Sequence, residues 1–163
     1  MPRRADSTLA NRGVFESLGT CILYGCGAGL LGVTAMTVTS KIEQVFFTDR
    51  PNSYVPAHTL ERLLRLPVRP DEERFGLNMA MHYGQGAVAG IVRAVMAMNG
   101  VMGPFASFMF TGVRLLIDQT LENWTGVGAL PWTWPVNEQV IDLLHKSVYA
   151  FVTGWFVDKW LGS

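Results

Sequence analysis

SLGTCILYGCGAGLLGVTAMTVTS, residues 17–40, carries no charged side chain and no stripe of polar groups at helical spacing. A helix on the surface of a soluble protein would show such a stripe. A run of this length is instead long enough to cross the hydrocarbon core of a bilayer, which takes about 20 helical residues. A removable leader would start closer to the first residue and end at a cleavage site, and no clear one follows here. The rest of the chain agrees: 49% of its residues are hydrophobic and only 16% charged, against an ordinary charged share of about 25%.

Three further segments have the same character. Residues 75–92 hold His82 as their only readily charged group, and residues 94–113 hold none. Residues 140–161 are interrupted by Asp142, His145, Lys146, Asp158 and Lys159, which makes them the weakest candidate. The fold expected is an all-α integral membrane bundle of four transmembrane helices, over residues 14–47, 75–99, 104–124 and 137–161. Residues 1–13 read as a disordered tail and residues 14–163 as one domain. Asn99-Gly100 and Gly103-Pro104 stop one helix and start the next, so the second and third helices are expected to pair as a tight antiparallel hairpin. Within the long first connection, TLERLLRLP reads as a short interfacial helix. Its Leu60, Leu63, Leu64 and Leu66 would lie on the membrane surface, with Arg62 and Arg65 reaching headgroups.

Thirteen basic and thirteen acidic residues cancel, so no nucleic-acid partner is implied. Cys21 and Cys26 have no metal-ligand spacing and read as buried thiols. GxxxG occurs twice, at Gly25/Gly29 and Gly86/Gly90. In lipid such faces let helix backbones touch, within one chain or, as an alternative, between copies in a homo-oligomer. The arginines of the first connection favour its placement on the cytoplasmic side, in a bacterial inner membrane or a eukaryotic endomembrane.

The polar residues inside these helices fall on shared faces when each residue is turned by about 100°. His82, Gln85 and Arg93 share one face of the second helix, Arg114, Asp118 and Glu122 one face of the third, and Asp142, His145, Lys146 and Tyr149 one face of the fourth. With a rise of about 1.5 Å per residue, Lys41, His82, Asp118 and His145 each lie roughly 9–12 Å inside one side of the bundle. A common polar layer is therefore expected, with Arg93 apart from it, snorkelling or paired near the other side. Charges in a bilayer cost about 2.5–3.5 kcal/mol each on insertion scales and usually find partners. Arg114 with Asp118, and Asp142 with Lys146, suit ion pairs at i,i+4.

The candidate ligand-binding residues are His82, Gln85, Arg114, Asp118, Asp142, His145 and Tyr149. They suggest a protein that binds or passes a small solute, lipid or proton, its partners being the bilayer and a lipophilic small molecule. Two alternatives stand beside this. One is a membrane-embedded cyclase or isomerase acting on a lipophilic terpenoid or polyketide, with Asp118 or Asp142 as acid and His145 as base. The other is an assembly subunit of a membrane complex. His82, Asp118, Asp142 and His145 are also conceivable ligands for a divalent metal, but the usual di-iron pattern needs more carboxylates, and no cofactor is called for. Tyr149 reads as an interhelical hydrogen-bond donor.

The succession PNSYVPAHTLERLL, MHYGQGAVAG, PWTWP and DLLHKSVYA resembles the YagU-like small multi-helix membrane proteins of bacteria and fungi. The likeness covers most of the chain from about Gly29 onward and implies an integral membrane protein, in a group with no established reaction. It carries over Pro56, His82, Tyr83, Gly84, Gly86, Arg93, Asp142 and His145.

Overall fold

The charge-free run becomes the centre of one long helix. A computed structural model of the chain describes the backbone of residues 5–162 and side chains from Glu16 to Gly162, so no side chain of the tail expected over residues 1–13 is described. The described residues are all-α: α1 (Ala5–Glu43), α2 (Val55–Leu63), α3 (Phe75–Met98), α4 (Gly103–Trp124) and α5 (Val136–Leu161). α1 continues without a break into a wider π-turn, Gln44–Thr48, which ends at Asp49 in the left-handed region. α1 includes Gly19, Gly25, Gly27, Gly29 and Gly32, each costing a helix in water about 1 kcal/mol against alanine. Such a segment gains its order from packing.

That packing is backbone against backbone. A Cβ added to Gly25 would lie 2.6 Å from Ile91 Cα, and one on Gly29 would strike the Gly86 carbonyl oxygen. From the other side, a Cβ on Gly90 would strike Gly25 O, and one on Gly86 would strike the Val33 side chain. The two glycine pairs therefore meet each other inside the chain. α1 approaches α5 in the same way at Gly32, where a Cβ would meet Thr153 Oγ1 and, at 2.9 Å, Tyr149 O.

α1 thus packs along both α3 and α5, and α5 packs on α4. The turn between α3 and α4 is tight: Gly100 takes a φ of 81°, letting Val101 N–H donate to Met96 O at 2.9 Å and Gly100 N–H to Ala97 O at 2.9 Å, the closure that a left-handed residue after a helix permits. Yet α3 and α4 scarcely touch along their lengths, so the expected paired hairpin is not formed. Large side chains fill the space between them. Phe110 and Tyr149, both buried, stack with ring centroids 5.8 Å apart in a core with Val33, Met36, Ala89 and Ala150.

α2 starts four residues earlier than TLERLLRLP suggests, with Pro56 in its first turn, and packs on α3. Its buried face is Ala57, Thr59 and Glu61, while Leu63 and Leu64 are exposed. Glu61 is drawn inward by Arg74, whose Nε donates to Glu61 Oε1 at 3.2 Å. That hydrogen bond holds the Glu61 carboxyl below the usual carboxylate range.

Polarity is inverted relative to a water-soluble domain. Leu23, Val88, Phe105, Phe108, Leu116, Val140, Leu144 and Trp155 face outward from α1, α3, α4 and α5, while Arg93 is 0% and Arg114 1% exposed. By length and hydropathy two described helical segments, Glu16–Thr48 and Val136–Leu161, could cross a membrane. The second is the segment whose charges made it look weakest in sequence.

The glycine contact yields a direct expectation. Gly29→Leu forces α1 off α3 and should destabilise the fold by about 1–3 kcal/mol, seen as a lower thermal midpoint in mild detergent. Gly84→Ala, where an added Cβ meets nothing within 4 Å, should leave the midpoint unchanged. Equal tolerance of both changes would contradict the packing described.

Candidate functional site

The end of α1, the starts of α3 and α5 and the end of α4 lie together, with the first and third connections closing over them. They surround a cavity of about 540 Å³. His82, Asp142, His145 and Lys146 line it, together with Thr37, Ser40 and Lys41 of α1, Gln44 of the π-turn, and Met79, Glu122 and Trp134. Three members of the expected layer, Lys41, His82 and His145, therefore share one cavity wall. The fourth, Asp118, lies one step behind it.

Each imidazole has a neighbour on α1. His82 Nε2 is 3.1 Å from Thr37 Oγ1, and its ring stands edge-on to Tyr83. His145 Nε2 is 3.8 Å from Glu43 Oε2. Glu43 is held in turn by Arg50 Nη2, 3.1 Å away, and by the Thr48 hydroxyl. A regular α-helix would turn Glu43 away from Lys41 and Gln44. The π-turn that follows it brings Thr48 and Arg50 back onto its carboxylate, a change of helical register that the residue pattern does not announce.

Beneath the cavity runs a closed charge network. Asp118, 3% exposed, is paired with Arg114 one turn away and with Lys146 of α5. Lys146 also lies 3.6 Å from Asp142. Arg114 caps the face of the Tyr149 ring at 5.1 Å, and the Tyr149 hydroxyl donates to Gly86 O at 2.6 Å. This bond places an interhelical donor at the α1–α3 glycine contact, the role read for Tyr149 from sequence. Arg114, Asp118 and Tyr149 thus sit under the floor rather than on it, and Gln85 is half-buried outside the lining. Of the seven candidate ligand-binding residues, His82, Asp142 and His145 reach the cavity.

Among the described residues no three His, Cys, Asp or Glu side chains come together as a metal site; Asp118 is taken up by two cations, and His82 faces a hydroxyl. Cys21 is buried with its thiol 3.8 Å from Ile91 O, while Cys26 is only half-buried. At the opposite end, Arg93 does not snorkel. Its Nη2 donates to both Asp158 oxygens, at 2.7 and 2.8 Å, and its Nη1 to Val101 O at 3.3 Å. Gly103 N–H donates to Asp158 Oδ2 at 2.9 Å. One ion pair thereby ties α3, α5 and the α3–α4 turn together.

Sequence reasoning placed Glu122 on the polar face of the third helix without assigning it to the site, and passed over Trp134 and Asn78 as parts of this region. Asn78 Oδ1 accepts from Ala57 N–H at 3.1 Å and its Nδ2 donates to Ser53 O, fixing the first connection over the cavity. An amide near the start of a long apolar helix was the available signal. Comparison with protein-family models, with curated proteins and with solved structures gives no match.

Removing one member of a buried ion network leaves the others uncompensated, which costs about 3–5 kcal/mol. Asp118→Asn should therefore lower the unfolding midpoint in detergent severely. Tyr149→Phe, which removes one hydrogen bond, should cost only about 1 kcal/mol. Equal losses from the two would mean that the network carries no special weight.

Proposed function

We propose that the protein is an integral membrane protein with four spans, α1, α3, α4 and α5, which holds one small amphiphilic molecule in the cavity at its arginine-rich face. The membrane part of this reading is supported by the inverted polarity, since large apolar side chains point outward on all four long helices while two arginines are enclosed. In a bilayer charged groups turn inward and pair, and Arg93–Asp158 and Arg114–Asp118–Lys146 have that form. The resemblance to YagU-like membrane proteins points the same way and rests on the quoted residues alone.

The observation that carries the functional part is the cavity. Its volume falls within the roughly 300–1,000 Å³ usual for small-molecule sites. Its wall combines Met36, Met79, Phe75 and Trp134 with the hydrogen-bonding groups of Thr37, His82 and His145, a lining suited to a molecule with an apolar body and a polar head. Below it, buried Val33, Phe110 and Tyr149 close the way, so the reading is of binding rather than passage.

The cyclase or isomerase reading is left with Asp142 alone as an acid at the cavity, because Asp118 lies beneath the floor between Arg114 and Lys146. The assembly-subunit reading loses its docking face, because the glycines already contact each other within the chain.

Purified wild-type protein in mild detergent should retain one small amphiphile per chain in native mass spectrometry. His82→Leu should fold normally and retain about tenfold less, the effect of losing a hydrogen bond worth about 1.5 kcal/mol. An empty wild-type protein, or identical retention by the variant, would refute the reading.

A further inference from the structure

We infer that the molecule held in the cavity carries an ammonium group, with Glu122 as its counter-charge. This deepens the amphiphile reading and rests on it. Three basic side chains, Lys41, Arg50 and Lys146, and three acidic ones, Glu122, Glu138 and Asp142, line the cavity, so a count alone suggests a neutral guest. Pairing changes that balance. Lys146 is taken by Asp118 and Asp142, and Arg50 by Glu43. Lys41 is exposed and donates to the amide oxygens of Gln44 and Asn52.

Among the described residues neither Glu122 nor Glu138 makes a salt bridge or a side-chain hydrogen bond. Against these two carboxylates stands the exposed Lys41, whose ammonium meets amide oxygens, so the charge left unanswered in the wall is on balance negative. Glu122 is also held in place. Its carbonyl accepts from Val127 N–H at 2.9 Å and from Gly128 N–H at 3.0 Å, and a Cβ on Gly128 would come within 3.1 Å of Glu122 Oε2.

Two further features of the wall suit such a guest. His145, 8% exposed, has an Nε2 atom without a hydrogen-bond partner, a buried polar group beside the space the guest would fill. Tyr54, Phe75 and Trp134 offer aromatic surface, which attracts cations through the ring quadrupole. An ammonium on a compact apolar body satisfies the carboxylate and the aromatic wall together, whereas an anion would meet two free carboxylates. Either a free amine or the ammonium headgroup of a lipid has this chemistry.

The test uses full-length protein in a maltoside detergent and three probes of equal chain length: hexyltrimethylammonium, hexyl sulfate and hexyl glucoside. The ammonium probe should bind saturably and most tightly, with Glu122→Gln weakening it about tenfold and the glucoside affinity unmoved. Glu138→Gln, at an exposed position, should weaken the ammonium probe two- to threefold and serves as the second variant if Glu122→Gln does not fold. Competition by lysophosphatidylcholine would assign the group to a lipid headgroup, and its absence to a free amine; both outcomes support the inference. Binding of the sulfate as tight as that of the ammonium, or ammonium binding indifferent to both carboxylates, overturns it while leaving an amphiphile site in place. Failure of all three probes to bind overturns the amphiphile reading as well.

Discussion

Backbone contact between α1 and α3 is the constraint on which the other packing rests. With Gly25 and Gly29 against Gly86 and Gly90, the two helices come close enough that no side chain separates them. Such proximity matters most where apolar surface gains nothing by leaving water, because association then depends on van der Waals fit. It also presents the Gly86 carbonyl to Tyr149, so the same contact draws α5 into place. α4, which has no comparable contact with α3, is held through α5.

Charge is arranged around this frame in two separate pieces. Arg93 and Asp158 close the end at the α3–α4 turn, and Arg114, Asp118, Lys146 and Asp142 form a network near the other end. The first makes a seal, since both terminal nitrogens of Arg93 donate inside the protein, to Asp158 and to Val101 O, while its Nε has no partner. The second makes a floor. Above that floor the helix ends leave a cavity, and the first connection, fixed by Asn78 and by the Glu61–Arg74 pair, forms its rim with the third. One end is therefore closed by an ion pair and the other holds the cavity.

Much of this was legible in the residues. The long helices begin and end where Gly and Pro punctuate the chain, and the expected boundaries near 75, 99, 104, 124 and 137 lie within a residue of those observed. Common depth brought Lys41, His82 and His145 to one wall because α-helical rise is regular. What was not legible depends on irregularity or distance. The π-turn after Glu43 changes which groups face its carboxylate, and no local pattern marks it. Glu61 is buried by an arginine thirteen positions away, so α2 turns an acidic side chain inward while Leu63 and Leu64 stay exposed. The loop between α3 and α4 is short as expected, but loop length alone does not say whether two helices pair or admit a third between them.

The central claim is that enclosed charge and outward apolar surface reflect four crossings of a bilayer, and sidedness tests it most directly. With Cys21 and Cys26 changed to serine, single cysteines would be introduced as Glu72→Cys, Val101→Cys and Thr133→Cys and treated in sealed membranes with an impermeant maleimide. Four crossings require labelling at 72 and 133 from one side and at 101 only from the other. Labelling of all three from the same side would leave α3 and α4 outside the bilayer and contradict the account.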